Sequence, residues 1–271
     1  MQEPLFSIVI ANFNHALYIA ECIASVIQQT FSDFECIIVD DGSSDESVLI
    51  AQALIEEDTR FMLIMQKNSG VAKARNTGMQ AATGKYLIFL DSDDLLSIYY
   101  LEEANLAIKN SPDFFLFYTG AEFTGNKRGK WALPGYDYKK LLLGSNMIYL
   151  TTVIRREDAL KVGGFGDWMS EGWEDWEFYI RLLHGVDQHR IIKSEKYLFY
   201  YRIKNFSRSV TIDSSAGVRT RMMNACFLAN SSIYRGYFPN FIDSLSSVDY
   251  YSNLSRTNLF KLFFKFKLLF N

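Results

Sequence analysis

Four short apolar runs recur through the first hundred residues, separated by segments with helical spacing. FSIVIA (6–11), FECIIV (34–39), FMLIM (61–65) and YLIFL (86–90) carry very few polar side chains. A strand with one wet face alternates apolar and polar residues. An unbroken apolar strand belongs in a sheet covered on both sides. The intervening segments supply that cover. Over 17–27, Ile19, Ile23, Val26 and Ile27 form a helical stripe. Ser43, with Glu46 three residues later, reads as a capping box opening a helix over 45–57, and a further helix over 70–82 stops at Gly84. This alternation predicts an α/β fold with a mostly parallel sheet. Past residue 100 the pattern predicts a helix over 101–109 and a strand over 114–119. A loop or hairpin over 120–134, strands over 149–154 and 197–201, and a helix over 176–183 follow. No repeat or low-complexity linker appears, so the second half reads as a continuation of the same globule.

Composition narrows the function classes. A chain of 271 residues is long enough for one large domain, or a core with a small appendage. A net charge of −3 argues against a nucleic-acid partner held by a global positive field. Cys22, Cys36 and Cys226 form no CxxC pair, a sparse, odd set that fits a reducing compartment. The N-terminus lacks a basic, signal-like start, and no stretch approaches the ~18 apolar residues of a membrane span, so the expected location is cytoplasmic.

Open α/β sheets bind ligands beyond the carboxyl ends of their strands. Here those ends are Asn12-Phe13-Asn14, Asp40-Asp41 and Asp91-Ser92-Asp93-Asp94, and no GxGxxG follows the first strand. Asp91 and Asp93 stand where two carboxylates can face a hard divalent cation and diphosphate oxygens, while Asp94 suits a helix N-cap. Asp41 can accept from a base N–H or a sugar hydroxyl, and one Asp of its pair satisfies an Asx turn. Lys73 and Arg75 add positive charge near the same edge, toward diphosphate or toward solvent. Further on, Trp168, Trp173 and Trp176 cluster within nine residues. Trp168 and Trp173, in a Gly-flanked loop, suit the apolar faces of sugar rings, whereas Trp176 reads as core.

Two segments, SIVIANFNHALYIAECIASVIQQTFSDFECIIVDDGSSDES and NSGVAKARNTGMQAATGKYLIFLDSDD, resemble the nucleotide-sugar-binding half of the family 2 inverting glycosyltransferases, of the GT-A fold. GGFGDWMSEGWEDWEFYIRL resembles that family's Glu-Asp segment, and YYRIKNFSRS its closing Tyr-Arg motif. The resemblance implies a nucleotide-diphosphate-sugar donor, with a UDP-sugar favoured. The acceptor it implies is a saccharide or lipid-linked saccharide, with Mg²⁺ or Mn²⁺ as cofactor. By the same resemblance Asp41 contacts the base, Arg75 the base or phosphates, and Asp91 the ribose. Asp93 holds the metal, and Asp175 is the general base. Glu174 joins Trp168 and Trp173 on the acceptor side. Asp175 also reads as part of the acidic first turn of the helix that follows. Where the family commonly offers a metal-reaching His, this chain has Lys204, whose charge can meet diphosphate directly. The expected organisation is a catalytic domain over 1–210, with donor (1–100) and acceptor (101–210) halves, and a helical extension over 211–271. The apolar, basic run at 259–270 is a candidate membrane-surface contact. The alternatives are a nucleotide-sugar-binding protein without turnover and a nucleotidyltransferase.

Overall fold

The computed structural model describes residues 3–145, 147–169, 171–204 and 216–239. The apolar runs become four parallel strands: β1 (Phe6–Asn12), β2 (Phe34–Asp40), β3 (Phe61–Met65) and β4 (Tyr86–Asp91). They lie in the order β3-β2-β1-β4, and every residue of β1 is buried. Helices α1 (Ile19–Ile27), α2 (Ser47–Ile55) and α3 (Val71–Ala81) form the connections. On α1 the buried residues Ile19, Cys22, Ile23 and Val26 fall on one stripe. Helix α3 approaches the sheet so closely that a Cβ at Gly78 would lie 2.3 Å from Val9 Cγ1, a contact that only glycine permits.

Beyond β4 a two-residue strand, β5 (Leu95–Leu96), precedes α4 (Tyr100–Asn110). The sheet then continues with β6 (Leu116–Gly125), β7 (Gly129–Trp131), β8 (Val153–Arg155) and β9 (Ile191–Ile203). The full order is β3-β2-β1-β4-β8-β6-β9-β5, with β7 hairpinned onto β6. Strand β8 runs antiparallel to both β4 and β6, and β9 runs parallel to β6. One sheet therefore crosses both halves of the chain. Helices α5 (Tyr138–Leu142), α6 (Arg156–Lys161) and α7 (Glu174–Leu182) complete the second half. Helix α7 is seated through aromatic rings: Phe178 stacks on Phe165 at 4.4 Å, and Phe165 meets Phe89 of β4 edge-on at 4.8 Å. Burying a ring of this size contributes about 1.5–3 kcal/mol.

Helices α8 (Ala216–Ala229) and α9 (Ser231–Tyr237) dock on this half. Asn230 donates to Glu177 Oε1 on α7 at 3.2 Å, and the Tyr234 hydroxyl donates to the Leu142 carbonyl at 2.9 Å. The 259–270 run lies outside the described residues. Among the described residues no helix is long and apolar enough to cross a membrane.

Several local expectations are corrected. No capping box forms at Ser43 and Glu46. Ser43 is taken by Asp40, which accepts from its backbone N–H (2.9 Å) and its hydroxyl (2.5 Å), and α2 starts at Ser47, two residues later than expected. Only the end of 149–154 is strand, because Tyr149 turns inward to donate from its hydroxyl to the Thr119 carbonyl at 2.6 Å. Asp94 caps no helix: β5 follows it, and its Oδ1 accepts from the Arg202 backbone N–H of β9 at 2.7 Å. The strand over 197–201 extends to thirteen residues. Helix α7 begins two residues early, so Glu174 and Asp175 form its first turn.

Candidate active site

Strand register brings the polar ends together. Asn12 pairs with Asp40, and Ala11 with Asp91, so the ends of β1, β2 and β4 form one edge. Asn12 donates to Asp40 Oδ1 (2.7 Å) and Ser47 Oγ (3.0 Å), tying the β2–α2 loop to β1. Asp40 thus serves the turn. Asp41 is buried under the β3–α3 loop. Its Oδ1 accepts from Gln66 Nε2 (2.7 Å) and the Ser69 N–H (2.9 Å), and its Oδ2 from the Gly70 N–H (2.8 Å). Alongside runs an open groove of about 560 Å³, lined by residues that include Gln66, Lys67, Ser69 and Lys73. Lys73 is exposed and pairs with Asp167 at 3.5 Å.

The β4–β5 turn holds the acids. Asp91, Asp93 and Asp94 each offer a carboxylate oxygen, all within 4.8 Å of one another. Asp94 is buried, and that burial, with the charges of Asp93 and Asp91, pushes its carboxyl well above the usual range. Strand β9 locks the turn in place: Leu95 pairs with Tyr200, and Arg202 Nε donates to the Asp93 carbonyl at 2.7 Å. One residue beyond that strand, Lys204 Nζ lies 2.5 Å from Asp93 Oδ2 and 3.1 Å from His15 Nε2. The other His15 nitrogen, Nδ1, is 2.7 Å from Ser92 Oγ. An ammonium only donates, so Nε2 accepts, which puts the ring proton on Nδ1, facing Ser92. Burial, with Lys204 adding to it, holds the His15 pKa below its ordinary value despite the pull of Asp93. His15 and Ser92 were not among the residues singled out from the sequence. Their signal was position alone, on the two turns that leave β1 and β4.

A third group joins this edge to α7. Arg75 is only 4% exposed, not a cation facing open water. Its Nη2 donates to Asp91 Oδ1 at 2.6 Å and its Nη1 to Glu174 Oε1 at 2.7 Å. Burial opposes the charge, but Asp91 and Glu174 outweigh it and raise the guanidinium's pKa. The next residue on α3, Asn76, exchanges two 2.8 Å hydrogen bonds with the Phe165 backbone. Helix α3 therefore fixes both ends of the segment leading to α7.

Asp175 is half-buried and accepts from the Trp176 N–H at 2.8 Å. Burial, followed by the Glu174 charge, pushes its carboxyl up to about 6, against the pull of Arg75. Trp173, next to these acids, sits in the left-handed region at φ 59° and meets Trp176 edge-on at 5.7 Å. Trp176 donates to the Leu141 carbonyl at 2.8 Å, the satisfied indole of a packed residue. Trp168 is 42% exposed at the rim.

A curled, mostly parallel sheet with acids at its strand ends and a helix-borne carboxylate nearby defines a GT-A type α/β protein. The family model described as Glycosyl transferase family 2 matches residues 7–163, more than half of the chain, and the chain belongs to that family. An uncharacterized glycosyltransferase of Haemophilus influenzae is 32% identical over 213 residues, covering 77% of this chain and 83% of that one. The chain spans only 36% and 27% of two Bacillus subtilis relatives that it matches. Among solved structures, Staphylococcus aureus TarS 1–349 in complex with UDP-GlcNAc superposes with a TM-score of 0.67 at 19% identity, covering 82% of this chain and 66% of that one. The mannosyltransferase PcManGT of Pyrobaculum calidifontis, in complex with GDP-Man and Mn²⁺, gives 0.62 at 16% identity, covering 84% and 64%. At those identities the likeness establishes the fold.

Proposed function

We propose that this chain is an inverting glycosyltransferase. It moves a sugar from a nucleotide-diphosphate donor, with a UDP-sugar favoured, to a hydroxyl of a saccharide or lipid-linked saccharide. The reaction belongs to surface-polysaccharide assembly (capsule, O-antigen or exopolysaccharide). The observation that carries this reading is Asp175: a half-buried carboxylate with its pKa lifted to about 6, next in the chain to the Glu174 that Arg75 ties to Asp91. A base in that range is ionised at neutral pH and still accepts a proton readily.

The division of labour follows from what each residue touches. Asp41, held by the β3–α3 loop, and that loop itself form the base-binding side. Asp91 and Arg75 stand at the ribose and phosphate end. Asp93 Oδ1 and Asp91 Oδ2 carry no protein hydrogen bond or ion pair among the described residues, so this acid set suits a hard cation, Mg²⁺ or Mn²⁺. Asp93 would chiefly hold such a cation, which when bound would supply Lewis-acid stabilisation of the departing diphosphate. Asp175 takes the proton of the attacking acceptor hydroxyl from the opposite side of the sugar, which inverts the anomeric centre. Trp168, Trp173 and Glu174 border the approach of the acceptor. Residues 1–100 thus form the donor half and 101–210 the acceptor half, with the helices beyond as an extension. The cytoplasmic reading rests on three thiols that are free and buried.

Slow hydrolysis of an α-linked UDP-sugar tests the stereochemistry. Proton NMR, recorded before mutarotation, should show the β-anomer of the released sugar first. First release of the α-anomer refutes inversion.

A further inference from the structure

The acid turn already holds a cation of the protein's own. Lys204 Nζ touches Asp93 Oδ2 at 2.5 Å, both side chains being only 15% exposed. The same ammonium donates to His15 Nε2 at 3.1 Å and lies 5.1 Å from the centroid of the Tyr18 ring. An exposed Lys–Asp pair contributes little. This one is largely withdrawn from water and aimed by three partners. Its backbone is fixed too, because Arg202, two residues earlier, donates from its N–H to Asp94 and from Nε to the Asp93 carbonyl. Lys204 is therefore delivered to Asp93 by the strand, not by a long side chain that happens to reach it.

We propose that Lys204 is the resident counter-ion of the donor-phosphate site. It blocks Asp93 against a divalent cation until a nucleoside diphosphate enters, and then transfers its ammonium to that diphosphate. The inference rests on the donor-site reading above and adds an order of events to it. A divalent ion and an ammonium sharing one carboxylate repel each other strongly at contact distance. A diphosphate brings enough negative charge for both cations, and lysine serves phosphate well as a compact point charge. Metal and nucleotide then bind cooperatively, each tightening the other by the same factor.

Two binding titrations on the full chain test this, with Lys204→Met as the isosteric loss of charge and Lys204→Arg as its retention. Thermal melts establish that the variants fold, and Lys204→Gln replaces the methionine variant if that one does not. Mn²⁺ alone, followed by its free-ion EPR signal, should bind K204M at least tenfold more tightly than the wild type. UDP in EDTA, followed by calorimetry, should bind K204M at least tenfold more weakly than the wild type, with K204R close to the wild type. If either K204M constant matches the wild type, the Lys204 assignment is overturned. A wild type that binds neither UDP nor GDP, with or without Mn²⁺, overturns the donor-site reading itself and this inference with it.

Discussion

The β4–β5 turn and the first turn of α7 both gather carboxylates, and the protein treats the two groups in opposite ways. In the β4–β5 turn two acids face a cation directly, Asp91 through Arg75 and Asp93 through Lys204, while the buried Asp94 accepts the Arg202 N–H. On α7, Glu174 takes the other arm of Arg75, and among the described residues Asp175 has one backbone N–H and a neighbouring negative charge. A carboxylate whose charge is met by a cation, as at Asp91 and Asp93, is a seat in which one cation can exchange for another. A carboxylate whose charge is left unanswered is a place for a proton. Arg75 makes the difference, because its single charge is spent on Asp91 and Glu174 and reaches Asp175 only through space.

Removing the unanswered carboxylate should have the largest effect. Asp175→Asn should lower the rate of donor consumption about 10²–10⁴-fold, the usual contribution of a positioned base. Nucleotide binding, read by thermal shift, should be kept, and unchanged turnover would refute the assignment. Linkage adds a second signature. The folded pKa of Asp175 is raised, so its proton stabilises the fold at low pH, and that stabilisation is lost as pH rises through about 6. The Asn variant should therefore melt above the wild type at pH 8 and lose that advantage at pH 4.

Next in size is the shared cation. Arg75→Met removes the cation shared by two carboxylates, one of them buried, and should cost roughly 3–5 kcal/mol in denaturant unfolding. A cost under about 1 kcal/mol would mean that the two regions are not coupled through this residue. The smallest effect is a shift along the pH axis. In the wild type the acid limb of kcat/KM should fall as pH drops through about 6, above the ~4 of an unperturbed aspartate. Since Arg75 pulls that value down, a folded R75M should move the limb upward. A limb near 4 in the wild type would remove Asp175 from the base role.

The two regions also differed in how legible they were. Strands β1 to β4 could be read because both their faces are buried, and their register then follows from parallel pairing. Asp91 and Asp93 could be read as an acid pair because they stand at such a strand end, and their carboxylates do lie together with that of Asp94. Arg75 was read as facing diphosphate or solvent, although it shares the buried stripe of α3 with Ala72 and Met79. That 3.6-residue spacing was a signal that pointed inward. The Ser43–Glu46 capping box was misread because side-chain competition decides such boxes: Asp40, three residues before Ser43, takes its hydroxyl. The contact between Lys204 and His15 joins residues 189 apart, and no local pattern encodes a meeting that depends on where β9 enters the sheet.

That late entry of β9 has a consequence for assembly. Strands β1 to β4 pair with one another within the first hundred residues, whereas Arg202 reaches Asp94 across 108 residues. During synthesis from the N-terminus at about 5–20 residues per second, the acid turn emerges roughly 5–20 seconds before the strand that closes it. Through that interval Asp93 lacks the ammonium of Lys204 and Asp94 the N–H of Arg202, while Arg75, already synthesised, is present for Asp91. The acid turn is therefore completed only when β9 docks beside it.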